Sequence, residues 1–312
     1  MLKHRLLMSA LLIPATIGLF AWDHHLGESA PLLFLLMITL SARATWELVT
    51  LARTAGFRPS LSLSLVGSWG MICIGWAPWR DRGWGTHWFG ISGEFGPGLF
   101  LFGVIAVLVI LNAVWRFPRC EVAMEPGSDS TSSLPIARGR ELGTLAVELF
   151  SVIYIGLFVS ITIQPRWQWG AGYFALGAML IAAKTGDIGA YTFGRLIGGP
   201  KMVPRLSPGK TWAGGVGHLL TAGACSAMWL CWLGPIISSE WRAWLVLPAV
   251  VFGVVVGFAG LIGDLAESLI KRDVGVKDAP ALLPGFGGLL DLMDSILLAG
   301  PVAYAMWHPL LP

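Results

Sequence analysis

Apolar stretches follow one another along the whole chain, separated by short polar segments. A helix needs about 20 mostly apolar residues to cross a bilayer, so stretches of this length predict membrane spans. The pattern predicts an all-α, polytopic membrane protein with about nine transmembrane helices. The predicted spans lie at about 6 to 22, 30 to 52, 61 to 79, 97 to 115, 142 to 163, 169 to 194, 213 to 237, 243 to 263 and 286 to 307.

The first apolar stretch follows a basic start, a feature that it shares with signal peptides. No small-residue cleavage site follows Trp22, where the chain continues with Asp23, His24 and His25. The length of the stretch is also close to that of a span. We therefore expect a retained helix.

The Lys and Arg residues between the predicted spans are distributed unevenly. If the N-terminus is cytoplasmic, the inside segments hold fifteen of them and the outside segments hold four. Cytoplasmic loops carry an excess of positive charge, so this bias predicts a cytoplasmic N-terminus and a C-terminus on the outside. We expect the protein in the cell (inner) membrane.

A polar segment at 117–140 contains EPGSDSTSS and has the Pro, Gly and Ser content of a flexible cytoplasmic loop. It divides one membrane domain into N-terminal helices at 1–116 and C-terminal helices at 141–312. The second part carries most of the charged residues at helix ends. We expect the catalytic chemistry there.

Composition agrees with a bilayer environment and adds little else. Hydrophobic residues make up 55% of the chain, charged residues 12%, and the mean hydropathy is +0.71. Four cysteines form no CxxC pair and have no His at ligand spacing, so neither zinc nor a disulfide framework is indicated. No nucleic-acid partner is expected, and the 40 glycines are compatible with a homodimer packed through small-residue faces.

Ionisable residues at the edge of a membrane span are costly and are therefore functional candidates. The longest cluster covers residues 263–295. Asp291 and Asp294 lie three residues apart near the cytoplasmic start of the last predicted span. Four further residues share one face of the preceding helix, at i, i+3, i+4 and i+7: Asp264, Glu267, Ser268 and Lys271.

These two helix ends predict a metal and phosphate site. Mg²⁺ takes a few carboxylate oxygens together with phosphate oxygens, and basic side chains hold further phosphate charge. Asp264, Asp291 and Asp294 are the candidate ligands for Mg²⁺, and a second cation is left open. The alternative is that Asp264 and Asp291 form ion pairs with Lys271 or Arg272 that only orient the helices.

A second cluster lies in KTGDIGAYTFGRLIGGPK at 184–201. A carboxylate at the position of Asp187 requires a partner such as Lys184 or a cation. The glycines of this segment are more typical of helix packing than of a binding loop.

A third cluster lies in RLSPGKTWAGGVGH at 205–218. It is not a Walker A loop, because Pro204 stands where that loop requires its first Gly. Ser207, Lys210 and Thr211 precede a predicted helix, and a helix N-terminus favours phosphate. The alternative is that Ser207 or Thr211 simply caps the helix.

Four segments of the second half resemble motifs of the phosphatidate cytidylyltransferase (CDP-diglyceride synthetase) family. SLIKRDVGVKD at 268–278 resembles the family pattern S-x-x-K-R-x4-K-D, and PGFGGLLDLMD at 284–294 resembles P-G-H-G-G-x-x-D-R-x-D. SPGKTWAG at 207–214 and DIGAYTFGR at 187–195 match two further motifs. The resemblance covers about residues 180–300, while the first half is similar only as a set of hydrophobic spans.

This resemblance implies a transfer of CMP from CTP to phosphatidic acid, which yields CDP-diacylglycerol and pyrophosphate and requires Mg²⁺. The implied site faces the cytoplasm and opens sideways to the inner leaflet of the lipid bilayer. Implied catalytic residues are Asp264, Asp291, Lys271, Arg272, Lys277 and Asp278. Implied substrate-binding residues are Ser207, Lys210, Thr211, Asp187 and Ser268.

Two positions depart from the family pattern. Phe286 stands where the family has His, and Leu292 stands where it has Arg. Neither side chain donates a hydrogen bond or carries charge, so a role of those side chains toward CTP or pyrophosphate is missing or has moved.

Other functions are compatible with parts of the pattern. A CDP-alcohol phosphatidyltransferase is disfavoured because its DGxxAR…GxxxDxxxD pattern is absent. A CTP-dependent transferase acting on an isoprenoid lipid would share the chemistry and differ in the lipid pocket. A transporter or a catalytically impaired homologue is the alternative that Phe286 and Leu292 support.

Overall fold

Helices make up almost all of the part of the chain that the structure describes. The structure is a computed structural model, and it describes residues 2–76, 96–116, 140–167, 172–237, 243–276 and 287–310. The α-helices are α1 (Leu2–His25), α2 (Pro31–Thr54), α3 (Leu61–Ile74), α4 (Gly96–Arg116), α5 (Arg140–Ser151), α6 (Phe158–Thr162), α7 (Gly172–Leu196), α8 (Trp212–Ala227), α9 (Gly234–Ile237), α10 (Val246–Asp273) and α11 (Leu289–Leu310).

Two of the long helical segments contain π-helical turns. Val152–Leu157 joins α5 to α6, and Met228–Leu233 joins α8 to α9. A π-helical turn changes the hydrogen-bond pattern without ending the helix. The helical segments Glu141–Trp167 and Trp212–Ile237 therefore run without a break through the predicted spans at 142–163 and 213–237.

Five segments within the described ranges are long and apolar enough to cross a bilayer. They are Pro31–Thr54, Glu141–Trp167, Trp212–Ile237, Val246–Asp273 and Leu289–Trp307. Leu61–Ile74 and Phe100–Arg116 are shorter apolar helices. The predicted all-α membrane architecture is confirmed, and helices also occupy the predicted positions of the first and sixth spans, as α1 and α7.

The helices α7, α8, α10 and α11 pack around one another in the second half of the chain. Close approach between α7 and α8 depends on small residues. A Cβ atom on Gly189 would lie 2.5 Å from the carbonyl oxygen of Gly217, which is shorter than a van der Waals contact. Gly189 of the second sequence cluster thus serves helix packing.

An apolar core lies at the end of these helices that is remote from the charged residues. Trp307, fully buried on α11, has its ring centroid 5.1 Å from that of Trp244 and 5.6 Å from that of Phe252. Aromatic pairs at such distances add to the stabilisation from area burial. This packing fixes the end of α11 against the start of α10. The charged residues lie at the opposite ends of these two helices.

The first hairpin of helices is attached to α7 by polar contacts. Asp23, fully buried at the end of α1, accepts hydrogen bonds from the Leu32 backbone N–H at 2.7 Å and from the Tyr173 hydroxyl. The guanidinium of Arg166 lies 4.6 Å from the Tyr173 ring centroid and donates to the Gly27 carbonyl. These contacts join the first and second halves of the chain at the start of α7.

A short antiparallel hairpin interrupts the all-α pattern between α7 and α8. Its strands are β1 (Lys201–Val203) and β2 (Ser207–Thr211). Pro200 and Pro204 explain the interruption, because proline lacks the N–H that a continuing helix needs. The hairpin carries Lys210 to Asp264 on α10, and Ser207 and Thr211 lie on the same strand.

The contact between α10 and α11 gives a prediction that does not depend on catalysis. A Cβ on Gly263 would lie 2.3 Å from the Asp294 carbonyl oxygen, whereas a Cβ on Gly260 would lie 3.6 Å from its nearest neighbours on Ser295. We expect Gly263→Ala to lower the midpoint of thermal unfolding in detergent, because the two backbones must separate.

Gly260→Ala is the matched control, one turn earlier on the same helix. Its Cβ would make ordinary van der Waals contacts, and alanine is the better helix former, so we expect the unfolding midpoint to stay the same or rise. An equal loss of stability in both variants would contradict the close packing at Gly263.

Candidate functional site

The predicted charged clusters meet at one end of the four-helix packing unit. Residues come from the second half of α7, from β2, from the last turns of α10 and from the first turns of α11. Because α7 and α10 run toward this end while α8 and α11 run away from it, four helix segments with polar residues face one another.

Three carboxylates form a cluster between α10 and α11. Asp264, Glu267 and Asp294 each offer one oxygen, and these oxygens all lie within 4.8 Å of one another. Glu267 is 2% exposed and Asp294 7% exposed, so two of the three carboxyl groups lie away from water. Buried carboxylates are costly unless they are paired, and a cation between them would supply that pairing.

The cluster has the chemistry that Mg²⁺ requires. All three donors are hard oxygens, which Mg²⁺ prefers. Oxygens bound to Mg²⁺ at 2.0–2.1 Å lie about 2.9 Å apart when adjacent and about 4.2 Å apart when opposite, so the three groups would close by up to about 2 Å to bind it. Asp264 and Asp294 were predicted as ligands from the sequence. Glu267 shares a helix face with Asp264 but was given no metal-binding role.

Asp291, the third predicted ligand, has a different partner in the structure. Lys271 Nζ lies 2.8 Å from Asp291 Oδ1 and 2.8 Å from Glu267 Oε2. The Lys271 side chain is 13% exposed, so the three groups form a largely buried ionic bridge from α10 to α11. The alternative reading of Asp291, an ion pair with Lys271 that orients the helices, matches this geometry.

Lys210 and Arg272 connect the hairpin to α10. Lys210 Nζ lies 2.9 Å from Asp264 Oδ2, with the lysine side chain 18% exposed. Arg272 Nε donates to the carbonyl oxygen of Leu206 at 3.4 Å. The hairpin therefore holds the Lys210 ammonium group against the carboxylate cluster. Arg272 is exposed and lies at the edge of this cluster.

Asp187 lies between two basic groups, as its position in a span requires. Lys184 Nζ is 3.6 Å from Asp187 Oδ2, and His218 Nδ1 is 3.8 Å from Asp187 Oδ1. His218 is fully buried, and its Nε2 lies 2.8 Å from the Gly257 carbonyl oxygen. A carbonyl only accepts, so Nε2 carries the proton and Nδ1 faces Asp187.

Lys184 also ties α7 to α11. Its Nζ donates to Ser295 Oγ at 2.7 Å and to the carbonyl oxygen of Leu292 at 3.1 Å. Leu292 is half-buried and stands where the family has Arg. Because leucine carries no charge, the positive charge near this part of α11 is that of Lys184 on α7. Lys184 was noted in the sequence only as a partner for Asp187.

The predicted hydroxyl groups have different positions. Thr211 is 5% exposed and caps α8, since its Oγ1 accepts a hydrogen bond from the Gly214 backbone N–H at 3.1 Å. The hydroxyl still has its own proton to donate. Ser207 is half-exposed on β2, and Ser268 is half-buried on α10 one turn beyond Asp264.

The N-terminus of α11 is occupied by carboxylates rather than open to phosphate. Gly288 N–H donates to Asp291 Oδ2 at 3.2 Å. The next two N–H groups, of Leu289 and Leu290, donate to the two oxygens of Glu47 at 2.9 and 2.8 Å. These N–H groups would otherwise form an anion site.

Glu47 and His218 are site residues that the sequence interpretation missed. Glu47 lies on α2, in the half of the chain from which no chemistry was expected. A signal was present, because Arg43 and Glu47 form an i, i+4 charged pair inside a predicted span. For His218, no spacing rule links it to Asp187, and only the packing of α7 on α8 brings them together.

Three residues named from the sequence lie outside the described residues. They are Lys277, Asp278 and Phe286. The predicted loop is also outside them at residues 117–139. Among the described cysteines, Cys73, Cys225 and Cys231 are free.

Comparisons with known proteins point to one family. A phosphatidate cytidylyltransferase of Mycobacterium bovis is 31% identical over 270 residues, which cover 85% of this chain and 75% of that protein. One from Chlamydia pneumoniae is 27% identical over 85% of this chain and 79% of its own length.

A shorter match is closer in sequence. A phosphatidate cytidylyltransferase of Brucella melitensis is 42% identical over 118 residues, covering 38% of this chain and 41% of that protein. The model of the cytidylyltransferase family matches residues 3–310, which is nearly the whole chain. This protein is therefore a member of the cytidylyltransferase family.

Proposed function

We propose that this protein is a magnesium-dependent phosphatidate cytidylyltransferase. It transfers CMP from CTP to phosphatidic acid and releases CDP-diacylglycerol and pyrophosphate, a step of phospholipid biosynthesis. Family membership over nearly the whole chain supports the nucleotidyl transfer, and relatives named phosphatidate cytidylyltransferase support the lipid substrate.

One structural observation carries the proposal. The carboxylates of Asp264, Glu267 and Asp294 converge within 4.8 Å, and Lys210 lies 2.9 Å from the first of them. Lys271 is 2.8 Å from the second. Clustered carboxylates with adjacent lysines match the needs of a cation bound to nucleotide phosphates.

In the proposed reaction, an oxygen of the phosphatidate phosphate attacks the α-phosphorus of CTP. The bond from the α-phosphorus to the bridging oxygen breaks, and that oxygen leaves with pyrophosphate. The lipid phosphate is itself the nucleophile, so no covalent enzyme intermediate is needed. Positioning and charge neutralisation are then the main contributions of the protein.

Asp264, Glu267 and Asp294 would hold Mg²⁺, and Asp291 would join them when Lys271 turns to a substrate phosphate. When bound, the cation neutralises phosphate charge and stabilises the leaving pyrophosphate. The proposal requires one Mg²⁺ and also accommodates a second cation.

The basic side chains have separate proposed tasks. Lys210, on the hairpin, and Lys271, on α10, would exchange their carboxylate partners for phosphate oxygens. Arg272 would bind phosphate at the exposed rim, and Lys277 with Asp278 would complete this end of the site. Hydroxyl donors would come from Ser207, Thr211 and Ser268, while Asp187 would orient Lys184 and His218.

The proposal includes a topology. Nine spans with a cytoplasmic N-terminus, in the inner membrane, place the charged end of α10 and α11 at the cytoplasmic surface. CTP would enter from the cytoplasm and phosphatidate from the adjacent leaflet. A homodimer is compatible with this arrangement.

Purified protein in detergent, supplied with radiolabelled CTP and phosphatidic acid, tests the proposal. We expect labelled CDP-diacylglycerol with Mg²⁺, its loss with chelator and its return when Mg²⁺ is restored. Product formed only with a polyprenyl phosphate would assign an isoprenoid lipid instead. CTP binding with no product from either lipid would identify a non-catalytic homologue.

A further inference from the structure

We infer that Glu47 is a positioning residue, which fixes the start of α11 and thereby the carboxylates that α11 supplies to the cation. The inference rests on the proposed function, since it assigns a role within the same site. It also extends that site to α2, in the half of the chain that carries none of the family motifs.

The contacts of Glu47 are complete and directional. Its side chain is 0% exposed, and its two oxygens accept the backbone N–H groups of Leu289 and Leu290 at 2.9 and 2.8 Å. Arg43 Nε donates to Oε1 at 2.9 Å from one turn earlier on α2. A buried carboxylate with three donors is held in one orientation, and charged hydrogen bonds of this kind are the stronger ones.

These contacts act on the residues proposed to bind the cation. Leu289 and Leu290 open α11, so Asp291 lies in the same first turn and Asp294 one turn later. Lys184 holds the next turn through the Leu292 carbonyl and Ser295. α11 is thus fixed from α2 at its first turn and from α7 at its second.

The fixed position of α11 matters because metal-ligating carboxylates must be placed accurately. Displacement of a catalytic group by about 1 Å can cost about 100-fold in rate. Residues that orient metal ligands typically change metal affinity by about 10- to 100-fold when they are replaced. Glu47 reaches α11 through backbone N–H groups, so it controls the position of the whole turn.

Glu47→Gln tests the inference, because the amide replaces one accepting oxygen with an NH₂ donor that faces a backbone N–H. Glu148→Gln is the matched control. Glu148 is also 0% exposed, accepts the Ser60 backbone N–H at 2.7 Å at the start of α3, and pairs with Arg116 at 3.1 Å. Like Glu47, it is a buried carboxylate that accepts a backbone N–H and pairs with an arginine, at a helix that carries no residue of the proposed site. Both of its contacts are made by Oε1, so Glu148→Gln removes the charge and can keep both hydrogen bonds.

Two readouts are measured on full-length protein in detergent. The first, independent of activity and made without metal, is hydrogen–deuterium exchange of the backbone amides at 289–295. We expect at least about tenfold faster exchange in Glu47→Gln, from the loss of charged hydrogen bonds, and no change there in Glu148→Gln. The second is the Mg²⁺ concentration for half-maximal rate, which should rise about tenfold or more only in Glu47→Gln.

Unchanged exchange at 289–295 in Glu47→Gln, an unchanged Mg²⁺ requirement in that variant, or an equal change in both variants would overturn the inference. If Glu47→Gln does not fold, Glu47→Asp is judged by the same two readouts, because its shorter carboxylate keeps the charge but withdraws from α11. Absence of product from the wild-type protein would count against the proposed function alone, since the exchange readout does not use turnover.

Discussion

Asp264→Asn is expected to lower the rate of CDP-diacylglycerol formation by at least about 100-fold, as is typical when one charge-stabilising group is removed from a site. The substitution keeps the shape of the side chain but removes a charged oxygen from the cluster with Glu267 and Asp294. It also removes the partner of Lys210 at 2.9 Å. The measurement is the initial rate with labelled CTP across a Mg²⁺ titration.

Asp273→Asn controls for the loss of an acidic group from the same helix. Asp273 is the exposed last residue of α10 and lies outside the carboxylate cluster. We expect its rate to stay within about twofold of wild type, as for most surface substitutions. Turnover like that of wild type in Asp264→Asn would remove Asp264 from the proposed cation site.

Lys271→Met is expected to reduce both stability and activity. Glu267 and Asp291 each lie 2.8 Å from Lys271 Nζ, so removal of the ammonium leaves two carboxylates facing each other in a largely buried position. Breaking a buried ion pair from one side costs about 3 kcal/mol or more. The measurements are the thermal unfolding midpoint in detergent and the rate of product formation.

Two further variants separate the two effects of Lys271. Lys271→Met combined with Asp291→Asn removes the facing charge, so its unfolding midpoint should recover while its activity stays low. Lys201→Met removes an exposed lysine of β1 and should change neither quantity. A single variant Lys271→Met that unfolds and reacts like wild type would contradict the ionic bridge.

The sequence was sufficient to predict the all-α membrane class, because apolar length is a local property. The same holds for the i, i+3 spacing that placed Asp264 with Glu267 and Asp291 with Asp294. The hairpin at β1 and β2 was missed, since a short polar segment between spans leaves no hydrophobic periodicity to interpret. Its proline residues excluded a helix but did not specify a strand pair.

The sequence could not decide between alternative pairings across helices. It left open whether Asp291 binds a cation or pairs with Lys271 or Arg272, and the packing of α10 on α11 shows that it faces Lys271 while Asp294 lies in the cluster with Asp264. Glu47 illustrates the same limit over a longer range, since it meets Leu289 across 242 residues of chain. Such contacts depend on tertiary packing rather than on spacing.

The location of the bound cation is the most direct test of the proposed site. Mn²⁺ replaces Mg²⁺ at oxygen sites and scatters anomalously, so a crystal structure of the full chain with Mn²⁺ would locate it. We expect an anomalous peak among the carboxylates of Asp264, Glu267 and Asp294. Mn²⁺ that supports activity while it is bound away from these three carboxylates would show that the cation site lies elsewhere.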